Sequence, residues 1–188
     1  MIDHGGWLME LGRFAVVHRH SSNFNFRPQH CDIDLLVIHN ISLPKGVFGA
    51  GNIEKLFSNV LDPRQHESFS SLKSLKVSSH LLIDRNGDCT QFVSFNERAW
   101  HAGISEFAGI ENCNDFSIGI ELEGTDEIPY TDDQYESLIE VSNLLLALYP
   151  KITKERITGH EHIAPGRKTD PGDVFDWNRY KSRLTTLS

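Results

Sequence analysis

The residues Leu35-Leu36-Val37-Ile38 form an unbroken apolar run that leads directly into His39, Asn40 and Ile41. The run is far shorter than the ~18 apolar residues of a membrane span. Its continuity, without polar alternation, predicts a strand covered on both faces, from about Ile33 to Ile41. Such a strand needs helices above and below it, which restricts the chain to an α/β architecture. The flanking segments agree. Ser79–Ile83 and Cys89–Val93 bracket Arg85-Asn86-Gly87, and Asn-Gly supplies the positive φ of a tight turn, so they predict a hairpin. Phe116–Glu123 predicts a further strand, with Ile118, Ile120 and Leu122 on one face and Gly119, Glu121 and Glu123 on the other. Asn52–Val60 reads as a short helix. Thr131, with Gln134 three residues later, is a capping-box signature. It opens a helix whose Leu138, Val141, Leu145 and Leu148 make a stripe at helical spacing, ended by Pro150. A last helix covers about Val174 to Leu184. The expected fold is one α/β domain over residues 1–188, a mixed central sheet flanked by helices, with residues 1–30 as an irregular N-terminal wrap carrying one short strand.

Charge and cysteine usage narrow the function classes. The chain carries 18 Lys and Arg against 26 Asp and Glu, a net charge of −8. That balance argues against a nucleic-acid or anionic-membrane binder, each of which needs a basic footprint. The first twenty residues hold Asp3, Glu10 and Arg13 and no apolar export core, so a cytoplasmic protein with reduced Cys31, Cys89 and Cys113 is expected. The sequon Asn40-Ile41-Ser42 then carries no meaning. Gly46–Gly51 has the order GxxGxG rather than GxGxxG and reads as a surface turn, not a nucleotide loop.

The 10 histidines are the compositional excess and point to metal or proton chemistry. His4, His18, His20, His30 and His66 sit among polar residues and read as surface, and His80 reads as packed within a strand. His39 ends the central strand, where side chains of α/β proteins open into the crevice that holds the site. An imidazole there must be hydrogen-bonded or metal-bound. Glu121 is a carboxylate in the middle of an apolar strand, costly unless a cation faces it. Between Gly159 and Gly172 a glycine- and proline-punctuated loop gathers His160, His162, Lys168 and Asp170. His160-Glu161-His162 is no HExxH motif, because Ala164 stands where the second His belongs. With His39, one of these histidines and Asp170 would make the two-His, one-carboxylate set of a catalytic zinc site. In extended chain residues 160 and 162 point apart, so at most one of them ligates.

Five segments together resemble the zinc-dependent N-acetylmuramoyl-L-alanine amidases, whose fold is shared by peptidoglycan recognition proteins and phage amidases. They are Leu36–Ser42 (LVIHNIS), Val77–Gly87 (VSSHLLIDRNG), Arg98–Gly103 (RAWHAG), Asn112–Asp126 (NCNDFSIGIELEGTD), and Ile157–His160 (ITGH) with Ile163–Gly172 (IAPGRKTDPG). Within the family the likeness is strongest to cytoplasmic members that recycle cell wall. Glu161-His162 departs from the pattern, where a small or thiol residue followed by Asp is usual.

The resemblance implies one Zn2+ per chain on His39, His160 and Asp170, with Glu121 and Lys168 catalytic. It implies hydrolysis of the amide between the lactyl group of a (1,6-anhydro-)N-acetylmuramic acid and the L-alanine of the stem peptide. The expected substrate is a small soluble muropeptide, the expected state a monomer, with neither nucleic acid nor membrane as partner. Because the stem peptide is anionic and the protein acidic, a local basic patch is expected from Arg98, Arg167 and Lys168, with Asn40, Trp100 and His101 beside it. The alternatives are a phage-type amidase that lyses intact wall and a non-catalytic peptidoglycan-binding module.

Overall fold

The computed structural model describes residues 1–185. In chain order the strands are β1 (Val16–His18), β2 (Phe24–Asn25), β3 (Leu35–Ile41), β4 (Leu81–Ile83), β5 (Cys89–Gln91), β6 (Arg98–Ala99), β7 (Glu106–Phe107), β8 (Ile110–Glu111), β9 (Ser117–Glu123) and β10 (Ile157–Gly159). The α-helices are α1 (Asn52–Phe57), α2 (Asp132–Leu148), α3 (His160–Ile163) and α4 (Trp177–Ser182). Six strands make the central sheet in the order β1-β5-β4-β9-β3-β10, in which β4–β5 is the one antiparallel pairing. The architecture is the mixed, helix-flanked sheet expected from the apolar pattern. The wrap of residues 1–30 contains two short strands rather than one, and β1 adds itself to the sheet edge beside β5.

The apolar run of β3 occupies the middle of this sheet, between β9 and β10, and Leu35 to Ile38 have no exposed surface. Its two faces are covered differently. Leu36 and Ile38 join Ile118, Ile120 and Leu122 of β9 and Leu138, Val141 and Leu145 of α2 in the main core. Leu35 and Val37, on the opposite face, pack with Ala102, Phe116 and Ile163, and next to them Leu82 packs with Ile53, Leu56 and Phe57 of α1. At ~1.5–3 kcal/mol per fully buried aliphatic side chain, these two layers drive the sheet to form. The second face also carries the polar residues. His39 and Glu121 are direct partners across β3 and β9, so they share that face.

Turn and cap chemistry set the boundaries. Gly87 has φ +83°, and a Cβ there would meet the Phe14 ring and the Asp133 carbonyl, so the β4–β5 turn needs glycine for both conformation and space. Both bonds of the Thr131/Gln134 capping box are made. Several boundaries differ from the sequence reading. The helix expected at 52–60 stops at Phe57, because Asn59 adopts φ +60°. The helix expected at 174–184 starts at Trp177, because Asp176 caps it by accepting from the Arg179 amide. Leu148 of the α2 stripe is 47 % exposed, so the stripe is buried only as far as Leu145 and Leu146.

A buried polar cluster under the sheet has thermodynamic consequences. His80, immediately before β4, accepts the Gly119 amide on Nδ1 at 3.0 Å and therefore donates from Nε2 to the Glu97 carbonyl at 3.0 Å. Burial, reinforced by the neighbouring Arg27 guanidinium, pushes its pKa down to about 3. The unfolded chain thus binds this proton below the ordinary pKa of 6.5 and the folded chain does not. Stability should fall as pH drops from about 6.5 towards 3, by ~1.4 kcal/mol per pH unit for this group. His80→Asn, which keeps an acceptor for Gly119, should flatten that slope in urea unfolding measured as a function of pH. Thr131→Ala should lower the unfolding free energy by ~1 kcal/mol at neutral pH in the same assay.

Candidate active site and metal centre

Parallel pairing delivers the site residues to one end of the sheet. In register, His39 pairs with Glu121, and Gly159 at the end of β10 pairs with Ile38, so His160 follows at the level of His39. The loop after α3 then returns Asp170, whose backbone carbonyl accepts the Glu161 amide at 3.0 Å. This is the carboxyl edge of parallel strands, where loops rather than ladders shape the surface.

Nδ1 of His39 lies 2.9 Å from Nδ1 of His160, and Oδ2 of Asp170 lies 3.1 Å and 3.0 Å from the two nitrogens. Among the described residues this is the one group of three His, Cys or carboxylate side chains that converges in this way. The opposite ring nitrogens are committed elsewhere. His160 Nε2 donates to the Ala102 carbonyl at 3.0 Å. His39 Nε2 donates to His101 Nδ1 at 2.9 Å, and His101 Nε2 then donates to Ser117 Oγ at 3.1 Å. These assignments leave both Nδ1 atoms bare. Burial, reinforced by His160, pushes the His39 pKa down to about 4, so the ring is neutral at neutral pH. Burial opposes charge on Asp170, but the two imidazole rings beside it outweigh that and hold the carboxyl below the usual carboxylate range. Three lone pairs with no proton among them therefore face one point. A divalent cation there removes the repulsion, and two imidazoles with one carboxylate suit zinc.

Glu121 stands beside this point. It is 8 % exposed, and its Oε2 is buried with no hydrogen-bond partner. Burial, with repulsion from Asp170 and against the pull of Lys168, raises its pKa well above the ordinary carboxylate value. Both faces of β9 are covered, and the unpartnered carboxylate looks into a cavity of about 370 Å³. Asn40, Trp100, His101, His160, Arg167, Lys168 and Asp170 line the same cavity, with an apolar wall of Ile41, Leu43, Leu56, Phe57, Leu72 and Leu75. Lys168 is exposed at its rim and also lines an adjoining polar groove with Ser42, Lys45, Thr125 and Asp126.

The residues expected to hold substrate fare unequally. Arg98 does not line the cavity, because its guanidinium is paired with Asp115 and Asn25. Arg167 does, while bonding the Ala102 and Ile104 carbonyls at 2.7 Å and 2.6 Å. Trp100 donates to Asn25 at 2.7 Å and presents its ring to the cavity wall. Asn40 ties β3 to the ligand loop by donating to Asp126 and to the Pro171 carbonyl. His101 reaches the cavity but lies chiefly behind His39. It packs so close to β9 that a Cβ on Gly119 would sit 2.4 Å from its ring. His160 and His162 belong to one helical turn rather than extended chain, and they still diverge. His160 is buried, and the side chain of His162 is 60 % exposed beside Glu161 and Trp177. Asn114, Ser117, Asp126 and Tyr130, which brace the site, carried no individual signal in the sequence.

The N-acetylmuramoyl-L-alanine amidase family profile matches residues 29–173. The 1,6-anhydro-N-acetylmuramyl-L-alanine amidase AmpD of Haemophilus influenzae is 56% identical over 164 residues, covering 87% of this chain and 89% of that protein. AmpD of Escherichia coli is 50% identical over 176 residues, covering 94% and 93%. A crystal structure of a selenomethionine AmpD derivative superposes with a TM-score of 0.93 at 49% identity, covering 98% of this chain and 99% of that one. The chain belongs to the N-acetylmuramoyl-L-alanine amidase family.

Proposed function

We propose that this protein hydrolyses the amide between the lactyl group of 1,6-anhydro-N-acetylmuramic acid and the L-alanine of the stem peptide, with one zinc ion held by His39, His160 and Asp170. The observation that carries the reading is the convergence of two bare imidazole nitrogens and a carboxylate oxygen beside the unpartnered, buried Glu121. The anhydro sugar enters through the relatives, several of which bear that substrate in their names.

When bound, zinc supplies Lewis-acid chemistry and acidifies water at this point. The chain's own residues do the rest. Glu121, buried beside the ligand atoms with an unpartnered carboxylate oxygen, takes the proton of the water that attacks the lactyl carbonyl. It returns that proton to the alanine nitrogen as the C–N bond breaks, so that a neutral amine departs. Lys168, at the rim, places a positive charge near the negative charge that develops on the carbonyl oxygen. The cavity and its adjoining polar groove offer an apolar wall and a lysine-bearing one, matching a ligand with a dehydrated sugar at one end and an anionic peptide at the other. In this reading the whole chain works as one catalytic domain, a monomer in the cytoplasm, on soluble imported fragments.

Glu121→Gln should lower kcat on a defined anhydro-muropeptide by ~10²–10⁴-fold while zinc content by elemental analysis stays unchanged. Wild-type turnover by that variant would remove Glu121 from the proton path. Chelation should abolish turnover and zinc should restore it, whereas a binding module would retain ligand and show no turnover in either state. Soluble anhydro-muropeptides should be cleaved far faster than purified sacculi, and the opposite preference would favour a wall-lysing enzyme.

A further inference from the structure

Both ligand histidines take their outer hydrogen-bond partner from one dipeptide. His39 meets the His101 ring, and His160 meets the Ala102 carbonyl. Residues 101 and 102 lie in no helix or strand, between β6 and the positive-φ Gly103, so no ladder of backbone bonds fixes them. Their two amides converge instead on a single atom. The amides of His101 and Ala102 both donate to Oδ1 of Asn114, at 3.0 Å and 2.8 Å. Asn114 is buried in the tight turn before β9, and its surroundings hold it still. Arg27 donates to the carbonyls of residues 114 and 115, and Ser105 accepts the Cys113 amide on its hydroxyl and the Asn112 amide on its carbonyl.

We propose that Asn114 is the positioning residue of the metal centre, a single amide oxygen that aims both imidazoles at once. This rests on reading His39, His160 and Asp170 as the metal ligands. An amide oxygen has two lone pairs, and here both are used on consecutive peptide groups. If the segment of His101 and Ala102 loses this anchor and shifts, the Ala102 carbonyl moves off His160 Nε2 and the His101 ring moves off His39 Nε2. Each imidazole then loses the partner that keeps its proton on Nε2 and its lone pair on Nδ1. Outer partners of ligand histidines each change metal affinity by ~10–100-fold, and Asn114 governs two of them.

The test is zinc affinity by competition with a chromophoric chelator, with the visible spectrum of the Co(II)-substituted protein as a second readout. Wild type, Asn114→Leu, Asn114→Ala and Asn114→Asp are compared as full-length chains. Asn114→Leu and Asn114→Ala should bind zinc ~10–100-fold more weakly and show displaced Co(II) bands. Asn114→Asp keeps an acceptor for both amides and should retain the wild-type affinity and bands, a rescue that a merely space-filling role does not predict. If the leucine variant does not fold, the alanine variant, which removes the oxygen without adding bulk, decides in the same way. Wild-type affinity and spectrum in a folded variant lacking the oxygen would overturn the role of Asn114 alone, as would loss of both in Asn114→Asp. A wild-type protein that takes up no zinc overturns the metal-centre reading and this role with it.

Discussion

Two imidazole nitrogens and a carboxylate oxygen held 2.9–3.1 Å apart with no proton among them repel one another, and the surrounding structure is arranged to keep them there. The repulsion is strongest where the site is most buried, because low polarizability leaves charge and lone pairs unscreened. The arrangement therefore has to be held from outside. The parallel register of β9, β3 and β10 sets the height of His39, Glu121 and His160. The Ala102 carbonyl and the His101 ring set the rotation of the two imidazoles, and the Asn40 and Tyr130 bonds to the Pro171 carbonyl fix the strand of chain that bears Asp170.

Burying such a cluster is unfavourable by itself and is sustained by the apolar layers on both sides of the sheet. The two faces divide the labour. Leu36 and Ile38 of β3 and Ile118, Ile120 and Leu122 of β9 share the main core with α2, and Leu35, Val37, His39 and Glu121 face the second apolar cluster or the site. Gly119 is the one position of β9 where the site demands the absence of a side chain, since the His101 ring fills that space. Glu121, two residues on, has the space and no partner. A strand that otherwise reads as core thus holds both the gap that admits the supporting histidine and the buried carboxylate proposed to transfer the proton.

Much of this was legible beforehand, and for identifiable reasons. The unbroken run before His39 announced a central strand, and a histidine ending such a strand has few ways to be satisfied. Glu121 stood out for the same reason, a charge inserted into an apolar alternation. The capping box at Thr131 located α2 because its two bonds are local. Helix ends at Phe57 and Trp177 were misread by several residues because they depend on the left-handed Asn59 and on the cap at Asp176, single-residue choices that propensity over a window does not resolve. Arg98 was expected at the substrate because it is basic and lies in a matching motif, whereas its nearest charge in space is Asp115, a partner seventeen residues away in sequence.

The sequence by itself determined the α/β class, the central strand, the identity of the main helix and a short list of residues too polar for their apolar setting. It did so because periodicity, capping and turn chemistry act over a few residues. Only the tertiary structure decided that His160 rather than His162 turns inward, that His101 stands behind His39, and that Asn114 holds the segment of His101 and Ala102. Those outcomes depend on strand register and on where loops cross in space, and neither is encoded within any window of neighbouring residues.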